Sequence, residues 1–134
     1  MSALVIDEAD RQLLARLVTI RKQKERKSRR KLVELEAVCA DIRQDIANVT
    51  EERKAVLMAI RQQSLPEDSL TPSEFDDFKL VLARRYQKER ALAQSIQEHK
   101  EKLSEVEQAI VRLNFDIQKL IKDQEKLKVV IDEQ

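Results

Sequence analysis

The sequence predicts an all-α protein in which two long helices fold back on each other as an antiparallel coiled-coil hairpin. Three observations predict it. The 134 residues include no Gly and no Trp, aromatics are 3% and charged residues 38%, yet apolar residues hold at 42%. A chain of that kind, rich in Ala, Glu, Lys, Leu and Arg and regularly patterned, reads as long helix rather than as disorder or a globule. Both prolines fall in one stretch, SLPEDSLTPS at Ser64–Ser73, and on either side of it apolar residues recur at alternating threes and fours.

The first helix is predicted over about residues 7–63, the hinge over about 64–71 and the second helix over about 72–132, all within one domain, 1–134. Thr71 is placed as N-cap, Pro72 at the first helical position, Glu74 as the far side of a capping box, and Leu70 with Phe75 as a hydrophobic staple. Glu74, Asp76 and Asp77 add negative charge at the positive end of the helix dipole. From Phe75 the heptad runs through Phe78, Leu82, Arg85, Glu89, Leu92, Ile96, His99, Leu103, Val106, Ile110, Leu113, Ile117, Leu120, Gln124, Leu127 and Ile131. Thirteen of these seventeen positions are apolar, with no skip.

In the first helix the same spacing joins Leu32, Leu35, Cys39, Ile42, Ile46, Val49, Arg53, Val56 and Ile60. Backwards it meets Ser28, Glu25 and Arg21, three polar residues in succession, before Val18 and Leu14 resume it. The expected register sets Ile60 opposite Phe78, Val56 opposite Leu82 and Cys39 near His99. Each helix would extend about 85 Å at ~1.5 Å per residue.

Those polar residues lie in RKQKERKSRRK, Arg21–Lys31, where eight bases and one acid make seven net positive charges in a chain whose total is +1. In the expected register this belt lies opposite Glu107–Ile117, which cannot neutralise it, and it leaves Ile110, Leu113 and Ile117 partly uncovered. The belt reads as a solvated face, as a nucleic-acid contact, or as an electrostatic handle for an acidic protein surface, and the third is preferred. KSRRK leading into Leu32, Cys39, Ile46 and Ile60 resembles a basic-region leucine zipper. The base-reading Asn of that family is missing, however, and apolar Leu13, Leu14, Leu17 and Ile20 before the belt argue against a free arm on DNA.

No catalytic constellation is visible: there is no Gly-rich phosphate loop, one His and one Cys. No enzymatic activity and no cofactor are expected. Cys39 and His99 are too few to make a structural metal site, so none is expected. The lone Cys39 fits a reducing compartment. The run Ala3–Ile6 is too short for a signal peptide, and no stretch reaches the ~20 apolar residues of a membrane span, so a soluble, cytoplasmic protein is expected without membrane insertion. Phe75, Phe78 and Tyr86 cluster beside the hinge. The two Phe read equally as caps of the core or as docking residues, and Tyr86, off the seam, is the better contact candidate.

The glycine-poor hairpin, the basic first helix and the run NFDIQKLIKDQEKLKVVIDEQ together resemble the central-stalk family of bacterial type III secretion, the YscO/FliJ-like proteins. The resemblance implies a stalk whose terminal end enters a hexameric secretion ATPase ring while the hinge end reaches toward an export-gate protein and secretion chaperones. Carried onto this chain, ATPase contact would fall on Arg21, Lys22, Lys24, Arg26, Lys27, Arg29, Arg30 and Lys31 with Ile110, Leu113 and Ile117. Gate or chaperone contact would fall on Phe75, Phe78, Leu82 and Tyr86, although Arg85 and Glu89 put charge where that face continues. The alternative is a coiled-coil adaptor or chaperone dimerising into a helical bundle, and a third reading is a nucleic-acid binder.

Overall fold

The computed structural model describes residues 7–63 and 70–132. They form an all-α helical hairpin of α1, Glu8–Gln62, and α2, Pro72–Asp132, which pack against each other with no strand among the described residues. The hinge expected over 64–71 lies outside the described residues except for Leu70 and Thr71. No described helix is long and apolar enough to cross a membrane.

The ends are set by local chemistry. Asp7 caps α1: its Oδ1 accepts the Asp10 N–H at 2.8 Å and its carbonyl accepts the Arg11 N–H at 3.0 Å, with Glu8 and Asp10 in the first turn. At the other end the Gln63 N–H is shared between the carbonyls of Ala59 and Ile60 at 3.1 and 3.3 Å, tightening the last turn without the left-handed glycine that often ends a helix. For α2, Thr71 Oγ1 accepts the Glu74 N–H at 3.2 Å and the Thr71 carbonyl accepts the Phe75 N–H at 3.0 Å. Pro72, lacking an N–H, occupies the first position, where no donor is needed.

The heptad seam is visible in the burial. Every seam position from Leu14 to Ile60, and every one from Phe78 to Ile131, is buried or half-buried. Among the described residues only Cys39, Ile42 and Ile117 are less than a tenth exposed, which is the thin interior expected of two paired helices. Phe75 is the exception: it stays 41% exposed, with Lys79 Nζ 4.8 Å from its ring centroid, a weak cation–π contact. Leu70, its expected staple partner, lines a cleft with Phe78 and Val81.

Contacts divide the hairpin into two compact units, one of the residues up to Val38 with those from Val106, the other Cys39–Glu105. In the second unit the register departs from expectation. Arg53 places both Nε and Nη2 2.9 Å from Glu89 Oε1, Lys88 Nζ lies 3.5 Å from Glu52, and His99 Nε2 faces Asp45 at 4.0 Å rather than Cys39. The paired numbers sum to between 140 and 144, whereas the expected register required 138, so the helices are offset by about one turn. The reason is electrostatic. In the expected register Arg53 would oppose Arg85 and Glu89 would oppose Val49, whereas the observed one sets the two charged interruptions against each other. Arg85 donates to Gln63 Oε1, and His99 Nδ1 is anchored 2.6 Å from the Ser95 carbonyl. A polar residue on a seam selects a register in this way.

The unit of the chain ends shows a similar offset: Arg21 Nη1 reaches Asp123 Oδ2 at 3.0 Å. The first helix does not lose its seam at the belt. Arg21, Glu25 and Ser28 remain half-buried there, and Ile117, expected to be partly uncovered, is 4% exposed. Aliphatic stems on the polar residues supply enough apolar surface to keep the helices together. One group is left unsatisfied: Gln124 Nε2, on the seam, has no hydrogen-bond partner among the described residues. Gln124→Leu is therefore expected to raise stability by roughly 1–3 kcal/mol, since it removes an orphaned donor and adds apolar burial. A thermal midpoint equal to or below that of the parent would refute this.

Candidate functional site

The basic belt is part of an uninterrupted helix, and at about 100° per residue its eight bases spread around the circumference and form a collar. Arg21 is taken by Asp123. Arg29 Nε lies 3.7 Å from half-buried Glu25 and Lys31 Nζ 3.9 Å from exposed Glu34, both neighbours on the same helix whose basic partner is exposed, so the pairs are worth little. Lys22, Lys24, Arg26, Lys27 and Arg30 are exposed and have no acidic partner within 4.0 Å among the described residues. Most of the positive charge therefore remains directed at solvent.

Of the three apolar residues expected beside the belt, only Leu113 is brought to it in an accessible way. An open cleft is lined by Lys27, Ser28, Arg30, Lys31, Glu34 and Leu113. Ser28 is short enough to leave Leu113 reachable between longer basic side chains. Ile110 is half-buried on the seam, and Ile117 is buried, so it supports the packing of the collar and offers no surface to a partner. The cleft thus has an apolar floor and a cationic rim.

Among the accessible apolar residues in the same unit that escaped the sequence reading, two are the most exposed. Val111 and Phe115, each 68% exposed, stand four residues apart on the outer side of α2, as helical neighbours do. The available signal was their place in the heptad: they fall opposite the seam, where a large apolar residue has nothing in its own hairpin to cover it.

In the hinge unit the expected contact residues separate. Phe75 and Tyr86 are exposed, while Phe78 and Leu82 lie half-buried on the seam. Phe78 lines a cleft with Gln62, Gln63, Leu70, Glu74, Asp77, Val81 and Arg85. Phe75 lies in the first turn of α2, at the start of the helix, and stays 41% exposed. Leu80 and Val81 are also exposed and widen the apolar surface beyond the residues expected from the sequence.

Cys39 and His99 do not meet. Cys39 is a buried free thiol, and among the described residues no group of three or more His, Cys, Asp and Glu is arranged to hold a metal ion. The accessible chemistry is that of surfaces: a cationic collar with a small apolar floor, and an acidic, aromatic-bearing hinge end. Comparison of the chain with protein-family models, with curated proteins and with solved structures gives no match.

Proposed function

We propose that this chain is a non-enzymatic central stalk of a bacterial type III secretion export ATPase, resident in the cytoplasm at the inner face of the secretion apparatus. The observation that carries the reading is the belt: a cationic collar largely without internal counter-charges, in the unit of the chain ends, with Leu113 accessible between Lys27 and Lys31. Such a surface suits an acidic protein partner with an apolar contact at its centre. The exposed Phe75 and Tyr86 at the hinge end supply a second contact surface, assigned in this reading to the export gate and secretion chaperones.

No chemistry is required of the stalk itself. A single asymmetric rod in a six-fold ring cannot contact all six subunits alike, so it favours particular nucleotide states in particular subunits and promotes ring assembly. The test is the hydrolysis rate of the hexameric export ATPase at limiting ring concentration, with and without this chain. Stimulation is expected, and an unchanged rate across a full titration would remove the stalk reading.

A further inference from the structure

The apolar part of one flank of α1 is unabsorbed by the hairpin and by the stalk reading. Leu13, Leu17 and Ile20 are 57%, 37% and 47% exposed, and with Asp10 before them and Lys24 after them they step by three and four along one side of the helix. At about 100° per residue these five fall within roughly 80° of each other and beside the seam of Leu14, Val18 and Arg21. The N-terminal part of α1 therefore has two apolar stripes, one covered by α2 and one not. A surface helix ordinarily needs one apolar stripe to face its core, so the second is surplus to the hairpin.

We infer that this flank binds a second copy of the same chain through a two-fold antiparallel contact centred on Leu17. The order along the flank is acid, three apolar residues, base, and it complements itself when reversed. With Leu17 against Leu17 of the second copy, Leu13 faces Ile20, and Asp10 faces Lys24. Asp10 and Lys24 are both exposed, and neither has an ion-pair partner among the described residues, so both are available for the contact. A parallel arrangement would place Asp10 against Asp10 and Lys24 against Lys24, and like charges in close apposition disfavour it. A two-fold contact uses the same patch on both partners, as most homodimers do.

Three apolar side chains per copy make a small interface, below the ~1,200 Å² of stable complexes. The association is accordingly reversible, with monomer dominant on dilution, and it does not depend on the stalk reading.

The test is sedimentation equilibrium of the full chain over a wide concentration range, with circular dichroism as the folding control. The weight-average mass of the native chain should climb from monomer toward dimer. Leu17→Glu should remain monomeric with unchanged helicity. Asp10→Lys and Lys24→Asp should each weaken association about tenfold, and their combination should restore it. A native chain that stays monomeric throughout, or a Leu17→Glu chain that associates like the native one, overturns the proposal.

Orientation is read separately in a Cys39→Ala background. Leu17→Cys should oxidise to a linked dimer, and Leu13→Cys mixed with Ile20→Cys should link to each other in preference to themselves. Equal self-linking at all three positions would establish a parallel contact and overturn the antiparallel one.

Discussion

On the proposed stalk function, replacing Arg26, Arg29 and Arg30 together by Glu is expected to weaken stimulation of the export ATPase while leaving the helices intact. Three reversals remove six charge units and take Arg21–Lys31 from +7 to +1. A concentrated patch of one sign raises encounter rates by roughly 10- to 1000-fold, so losing it should raise the half-maximal stalk concentration by at least about tenfold. The native effect should also weaken as salt is added, because exposed charges are screened over ~8–10 Å at physiological ionic strength. Folding should hardly notice. Arg29, itself exposed, gives up only an i,i+4 neighbour at 3.7 Å, and such solvent-facing pairs contribute ~0–1 kcal/mol. Unchanged stimulation by a helical variant would remove the collar from the mechanism, and a variant that loses its helicity would show the collar to be structural.

The second large effect is expected on the seam. Arg53→Glu sets two carboxylates against each other where two 2.9 Å contacts now join Arg53 to Glu89. A loss of roughly 1–3 kcal/mol is expected, less than for a fully buried pair because the Arg53 side chain is 41% exposed. Glu89→Arg alone should be similarly damaging, and the exchange Arg53→Glu with Glu89→Arg should recover most of the loss, as measured by urea denaturation. An additive double mutant would show that the pair does not couple.

Replacing both residues by Leu should preserve or raise stability but loosen register, since apolar layers slide past one another where a charged pair does not. Cysteines can read this. Asp45→Cys with His99→Cys, in a Cys39→Ala chain, should cross-link in the present register. Native Cys39 with His99→Cys should cross-link only in the slipped one, so the second link should appear only when both Leu replacements are present.

This contrast shows what the sequence made legible. The period of apolar residues located both seams, and the Thr71–Pro72–Glu74 signal located the start of α2, because caps and heptads are local. Register was not legible from the same pattern. Leu, Ile and Val layers pair almost equally well after a shift of one turn, so Ile60 against Phe78 looked as good as any alternative. The deciding information lay in the exceptions, Arg53 and Glu89, and only when taken as a pair of opposite sign. The expected uncovering of Ile117 failed for a related reason: the aliphatic stems of half-buried Arg21 and Glu25 cover the seam there more completely than expected. Leu13, Leu17 and Ile20 stood plainly in the sequence, but their exposure depends on which face α2 takes.

The charged layer of Arg53 with Glu89, together with Asp45 facing His99, also constrains how the chain can change over generations. Either partner of such a layer drifts alone at a loss and together at none, so the two should be inherited as linked characters. Length is bound in the same way. A single residue gained in α1 between Asp45 and Arg53 rotates one layer by about 100° relative to the other. A whole heptad gained there restores the rotation but separates the layers along α1 while their partners on α2 stay where they were. The lineage of this hairpin can lengthen or shorten only by matched steps in both helices, and its two arms must evolve as one ruler.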